Sequence, residues 1–214
     1  MDHKITSLAD QIFEELEKNI LAGIYSRGEL FTESKLSEML GVSRTPIREA
    51  LRRLEQEHLI ELSTKGAKII GISKSDILDM YEIRLRIEGL ASKRVAETID
   101  EAGKKELLDI IELQEFYTAK KDADNIKNMD SKFHEAVYRL CGSTALFEVL
   151  HLLHRKVTKY RKASIQNSDR AFQSVKEHRE IFDAIISGDG DLAEKITTMH
   201  VKNALNNISN TIKE

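Results

Sequence analysis

Proline occurs once in this 214-residue chain, at Pro46, cysteine once, at Cys141, and tryptophan not at all; glycine occurs only ten times. So few helix breakers leave little room for loop, and long helices are expected to dominate. A single cysteine excludes an internal disulfide and suits a reducing cytoplasm, with Cys141 read as a small buried apolar residue. No apolar run approaches the roughly 18 residues that cross a bilayer, and the N-terminus carries no apolar signal core. The expectation is a cytoplasmic protein with no membrane partner. Charge of one sign is also missing. The net charge is −3, and residues 1–70 hold 10 Lys/Arg against 12 Asp/Glu, a net of −2. That balance counts against indiscriminate, phosphate-driven nucleic-acid binding but leaves site-specific binding open. With 41% hydrophobic and 32% charged residues, the composition is that of a globular protein, and this length makes two domains the default.

What is present concentrates on Ser43 through Leu54. Ile47, Ala50, Leu51 and Leu54 fall at i, i+3, i+4 and i+7, the spacing of a buried helical face. Arg44, Arg48 and Arg52 form a separate basic row four residues apart. Pro46 suits a first turn, whose N–H groups have no intrahelical partner, and Ser43 or Thr45 can cap that turn. Just upstream, Thr32 or Ser34 can cap a short helix with Leu36, Met39 and Leu40 on one side. Gly41-Val42-Ser43 then reads as the tight turn of a helix-turn-helix. In such a unit the second helix enters the major groove, which puts Arg44, Thr45 and Arg48 at DNA. The same row also suits a solvated face on an ordinary helical hairpin. Arg53, Lys65 and Lys68 add to the positive charge of this stretch.

Residues 5–22 read as an amphipathic helix, with Gly23 through Gly28 as a turn. Leu59–Leu62 and Ala67–Ile70 read as two short strands joined by Ser63-Thr64-Lys65-Gly66. Three helices and a hairpin make a winged helix, with Lys65 and Gly66 at a wing tip near the phosphate backbone or minor groove.

The run Gly28-Glu29-Leu30, Glu33, Leu36-Ser37, Leu40 through Leu51, Leu54, Leu59-Ile60 and Gly66 resembles the DNA-binding domain of the GntR family of bacterial transcription regulators, over about residues 10–70. The resemblance implies that Arg44 and Arg48 contact bases or phosphates, that Thr45 contacts the backbone, and that Gly66 is the wing tip. The chain departs from the family pattern at Phe31, where proline is usual, at Ser34, where many members have a DNA-touching arginine, and at His58, in place of a frequent glycine.

After a linker at 72–76, with Ser75 as a cap, only helix is expected: about 75–97, 103–118, 122–140, 144–166, 170–187 and 189–211. Breaks are expected near 99–100, 141–143, 167–169 and 187–190. The fold class is therefore mainly α. A winged helix-turn-helix (1–71) precedes an all-helical bundle of six to seven helices (77–214).

Asp130 and His134 are four apart and share one helical face. His178 and His200 lie on the fifth and sixth of the later helices. One carboxylate and three imidazoles from three helices would form a half-shell of ligands, as bundle metal sites do, and would suit zinc, nickel or manganese. Taken singly, each of these histidines reads as a satisfied interior or surface residue more readily than as a ligand, and periodicity alone does not select them from the seven histidines.

Asp130-x-x-Phe133-His134, then Glu177-His178-x-x-Ile181-x-x-Ala184-Ile185-x-x-Gly188-Asp189, Ala193 and His200, resemble the FCD effector domain of the FadR subfamily of GntR regulators. Tyr81-Glu82-x-Arg84-x-x-x-Glu88 resembles its opening helix. The chain departs at Ser143, where asparagine is frequent. The resemblance implies that Asp130, His134, His178 and His200 hold a divalent metal. Arg84 is a candidate clamp for an effector carboxylate, or else a salt-bridge partner of Glu88 at i+4. Lys159 and Arg161 could add positive charge, and Tyr160 reads as core. His151 and His154 are three apart and could bind metal by spacing, but the helix there reads as a Leu150, Leu153 and Val157 core with a polar outer face, which sets them outside the site.

The resulting expectation is a homodimeric bacterial repressor. Its winged helix binds a double-stranded, pseudo-palindromic operator, and its helical domain holds a metal and a small carboxylate effector. The alternatives are an acyl-CoA sensor without metal and a metal-dependent enzyme.

Overall fold

The computed structural model describes residues 7–164 and 169–211. The expected helix start at Ile5 and the break at Asn167-Ser168 lie outside the described residues, as does the side chain of Arg161. The chain divides into two compact units. One comprises residues 1–73 with 159–164, the other 74–158 with 165–214.

In the first unit, α1 (Leu8–Leu21) opens on a reciprocal cap: Ser7 Oγ accepts from Asp10 N–H, and Asp10 Oδ2 accepts from Ser7 N–H at 3.0 Å. α2 (Glu33–Leu40) starts at Thr32, whose hydroxyl accepts from Lys35 N–H. Ser34 lies inside α2 and is not its cap. Gly41 ends α2 in the left-handed conformation, at φ 66°. α3 (Arg44–Gln56) follows after a turn of three residues. Ser43 holds the cap position with extended backbone, yet its hydroxyl makes no capping hydrogen bond, and Pro46 sits in the first turn.

Ile47, Ala50, Leu51 and Leu54 are all buried. They close a core with Ile12, Leu16 and Ile20 of α1, and with Leu36 and Ile69. Each large aliphatic side chain there stabilises the fold by about 1.5–3 kcal/mol.

β2 (Ile60–Ser63) and β3 (Gly66–Ile69) form the wing, one residue later and one residue earlier than their sequence readings. Ser63 pairs with Gly66, so the turn is the two residues Thr64-Lys65. β1 (Leu30–Phe31) had no sequence signal. It pairs antiparallel with β3 and gives the order β1-β3-β2. Two residues are too few to show alternation. The strand presses on the wing so closely that a Cβ at Gly66 would collide with the Phe31 carbonyl.

The second unit is built from α4 (Lys74–Thr98), α5 (Glu101–Ala119), α6 (Ala123–Leu140), α7 (Thr144–Ser164, ending in the first unit), α8 (Asp169–Ile186) and α9 (Gly190–Thr211). α4 begins one residue before Ser75, so Ser75 lies in the first turn and not at the cap. Asp100 and Asp122 cap α5 and α6 by accepting from Gly103 and Asn125 N–H. α4 packs along α9 at a distance set by Gly89, where a Cβ would lie 2.8 Å from the Glu194 carbonyl oxygen. The core runs from Ala91 and Val95 through Leu107, Phe133 and Leu150 to Ile181 and Ile185.

Candidate metal centre and nucleic-acid interface

α6, α8 and α9 each carry one imidazole into the interior of the second unit. His134, His178 and His200 are 4%, 0% and 4% exposed, and one nitrogen of each lies within 4.8 Å of one nitrogen of the others. Their orientation is fixed from behind. His134 Nδ1 lies 2.7 Å from Glu88 Oε1. His178 Nδ1 lies 3.0 Å from Gln114 Oε1. His200 Nδ1 lies 2.6 Å from Glu177 Oε2. Each partner is an oxygen acceptor, so each Nδ1 carries the hydrogen and donates it outward. All three Nε2 lone pairs are left facing inward.

His134 Nε2 and His200 Nε2 stand 3.3 Å apart. Among the described residues, His178 Nε2 is buried without a hydrogen-bond partner, 3.7 Å from Asp130 Oδ1. Lone pairs converging at that spacing repel one another unless a cation lies between them. Two nitrogens bound at about 2.1 Å to one divalent ion stand roughly 3.0–3.4 Å apart. A ring nitrogen anchored to carboxylate or carbonyl oxygen, with the other aimed at a common point, is the arrangement of metal-bound histidine. The donor set of three imidazoles with Asp130 alongside therefore fits a divalent cation.

The electrostatics leave these imidazoles able to bind a cation. Burial pushes the His178 imidazole well below its ordinary pKa and lowers His200 against the opposing hydrogen bond to Glu177, so both are held neutral. Burial alone would raise the carboxyls behind them, but the donors that surround them win. Arg84 and His134 hold Glu88 well below the usual range, and hydrogen bonds from His200 and Arg170 bring Glu177 down to about 2.

Arg84 forms the salt bridge that the sequence left open as the alternative to a clamp. It is 3% exposed and forks onto Glu88, with Nε 2.7 Å from Oε2 and Nη2 3.2 Å from Oε1. Tyr138 donates its hydroxyl to the same Glu88 Oε1 at 2.8 Å.

His154 departs from its sequence reading. It is buried, with its ring centroid 4.6 Å from that of His134, and burial pushes its pKa well down. The signal was present in the sequence, since Leu150, His154 and Val157 fall at i, i+4 and i+7 and share one face. Reading the stripe through Leu153 hid it. His151 stays outside, stacked on Phe147 and 3.9 Å from Glu135. Tyr160, read as core, is half-buried. As supports for these imidazoles, Glu88, Gln114 and Glu177 had no local signal, because the histidines they hold lie 46, 64 and 23 residues away.

In the first unit, Arg44, Thr45, Arg48 and Arg52 are exposed on α3, and Lys65 is exposed at the wing turn beside Gly66. Arg48 is engaged, with its Nε and Nη2 each 2.8 Å from the Glu33 carboxylate on α2. Arg53 leaves the basic face altogether. It pairs with Asp10 and covers the Phe13 ring, its guanidinium carbon 4.1 Å from the centroid. It stabilises α1 against α3 and is not part of the exposed basic row.

Comparison with known proteins agrees with this division. The profile of the bacterial regulatory proteins of the gntR family matches residues 8–69, and that of the FCD domain matches residues 79–203. A gluconate operon transcriptional repressor of Bacillus licheniformis is 28% identical over 186 residues, 85% of this chain and 76% of that protein. The transcriptional repressor RspR of Escherichia coli is 25% identical over 193 residues, 90% and 85% of the two chains. The E. coli McbR/YncC structure superposes with a TM-score of 0.69 at 20% identity, covering 96% of this chain and 99% of that one, a likeness of fold. The family and these relatives are transcription regulators, not enzymes, which removes the metal-dependent enzyme from the alternatives.

Proposed function

The chain belongs to the GntR family of bacterial transcription regulators, with an FCD domain after its DNA-binding domain, and from that premise we propose that it is a metal-containing, metabolite-responsive repressor of the FadR subfamily. Residues 1–71 read the operator, 72–76 link, and 77–214 sense the effector and dimerise. The protein acts in the cytoplasm as a homodimer on a pseudo-palindromic operator, as two-fold regulators do. Arg44 and Arg48 read bases or phosphates, Thr45 holds the backbone, and Lys65 and Gly66 bring the wing to the neighbouring groove.

The observation that carries the sensing half is the set of three inward Nε2 atoms, each with its Nδ1–H anchored outward. His134, His178 and His200, with Asp130, would hold zinc, nickel or manganese. The bound ion supplies a Lewis-acidic position for one oxygen of a small carboxylate. An arriving carboxylate also competes with Glu88 for Arg84, which gives the effector a second grip and a way to perturb α4. The effector changes operator affinity by binding the two arrangements of the DNA-reading heads unequally. An acyl-CoA sensor without metal would leave the three converging lone pairs without a purpose.

Metal analysis of the purified protein beside Asp130→Ala tests this reading. About one divalent ion per chain, reduced in the variant, is the expected result. A protein that stays metal-free after incubation with zinc, nickel and manganese would remove the sensing half and leave the DNA-binding half standing.

A further inference from the structure

His154 on α7 has a different relation to the centre from the other three imidazoles. Among the described residues, both of its ring nitrogens are buried and unpartnered. Its ring lies against His134 at 4.6 Å, tilted by 37°, and meets Tyr138 edge-on at 6.1 Å. Yet the nitrogens that lie within 4.8 Å of one another belong to His134, His178 and His200, so His154 stands outside the ligand set. A desolvated imidazole with neither nitrogen paired is costly to keep, and such a group is ordinarily satisfied by something that the fold leaves room for. The distances say what that is. A ligand atom on the ion sits at about 2.1 Å, and a hydrogen bond to that atom adds roughly 2.8 Å. A donor one shell out therefore stands where a metal ligand cannot.

Resting on the metal reading above, we infer that His154 is a specificity-determining residue, its ring N–H donating to the oxygen of a carboxylate or water held in the open position of the ion. A metal-bound oxygen is an acceptor, and imidazole offers it a single directed donor. His134 supplies the adjoining wall. The other three histidines have already committed their N–H groups to Glu88, Gln114 and Glu177.

The full-length protein loaded with cobalt(II) tests this through its visible bands, titrated with acetate as the simplest carboxylate. The wild type, His154→Ala and His154→Gln are each expected to take up about one cobalt per chain. Acetate affinity falls about ten-fold in His154→Ala, the loss of one hydrogen bond to a charged group. It is largely recovered in His154→Gln, whose amide N–H₂ can donate from a similar reach. Unchanged acetate affinity in a folded His154→Ala overturns the proposal, and so do wild-type bands that acetate does not move. Loss of cobalt from the alanine variant also overturns it, by making His154 a ligand or a structural support. Should the alanine variant fail to fold, the glutamine variant decides: its acetate affinity must stay within a few-fold of wild type. Failure of the wild type to bind cobalt would be a distinct result, sinking the metal reading itself.

Discussion

The two units use charge in opposite ways. In the first, basic side chains are exposed on a helix whose other face makes the core. Arg44, Arg48 and Arg52 need only a rigid rod and solvent, and each can be changed without disturbing Ile47 or Leu54. In the second, buried polar groups lean on one another, His178 on Gln114, His134 on Glu88, Glu88 on Arg84, and His200 on Glu177, with His154 the exception among the described residues. A surface array tolerates errors one residue at a time, whereas a buried network is either satisfied throughout or costly. Mutations in the second unit should therefore produce the larger effects.

The sharpest test of that contrast leaves the ligands alone. Gln114→Met removes the acceptor of His178 Nδ1–H while keeping the volume of a fully buried side chain. Metal affinity is expected to fall about 10–100-fold, with a stability loss of about 1–3 kcal/mol from the unsatisfied N–H. Metal-binding titration and chemical unfolding measure the two. Metal affinity unchanged by the substitution would mean that orientation from behind is not what holds the site.

Acidification separates the units by pH window. His154, His178 and His200 are held below their ordinary values by burial. The unfolded chain then takes up more protons than the folded one as pH falls below about 6.5. The stability that these groups contribute is fully present above that pH and is lost on acidification. Asp10 and Glu33 of the first unit, lowered by hydrogen bonds from Ser7 and Arg53 and from Arg48, lose theirs only below about pH 4.5. Unfolding of metal-free protein followed between pH 7.5 and 5 should show the second unit weakening first. Coincident weakening of both units would contradict the assignment.

The DNA face gives smaller and more local effects. Arg48→Ala is expected to cost about 1–3 kcal/mol in operator binding. Glu33→Gln should work the other way. Removing the carboxylate that Arg48 grips at 2.8 Å adds about one net positive charge to the face and steepens the salt dependence of binding by roughly one phosphate contact. Mobility-shift titrations over a salt series separate the two. An Arg48→Ala protein that binds like the wild type would put Arg48 outside the interface, with the Glu33 fork as its whole role.

What could be seen in the sequence follows the same division. The helix-turn-helix was legible because periodicity reports on single helices: Ile47, Ala50, Leu51 and Leu54 declare a face, and Gly41 and Pro46 mark the turn. The six later helices were legible for the same reason, to within a few residues. β1 was not, since two residues carry no period, and Arg53 was misplaced because its partner Asp10 is 43 residues away. In the second unit, spacing linked Asp130 to His134, and only the resemblance added His178 and His200. Their convergence depends on how α6, α8 and α9 pack, which no local pattern encodes. His154 is the instructive miss, a polar residue on an apolar face whose position was readable and whose company was not.

The smallest effect expected sits where the chain replaces the usual glycine with a side chain. His58 joins α3 to β2 with φ at 59°, the left-handed region where a Cβ crowds the following carbonyl. Its backbone is fixed there by two hydrogen bonds, His58 N–H to the Glu55 carbonyl at 2.9 Å and Leu59 N–H to the Leu54 carbonyl at 2.9 Å, so the strain cannot relax by moving the turn. His58→Gly relieves that crowding at the cost of a more flexible unfolded chain. The two terms nearly cancel, leaving a net gain of about 0.5 kcal/mol. Thermal unfolding of the first unit should rise slightly, with operator affinity and metal content unchanged. A clear loss of stability would mean that the exposed imidazole makes a contribution in solution larger than its backbone strain, and the turn into the wing would then depend on the side chain and not only on the conformation.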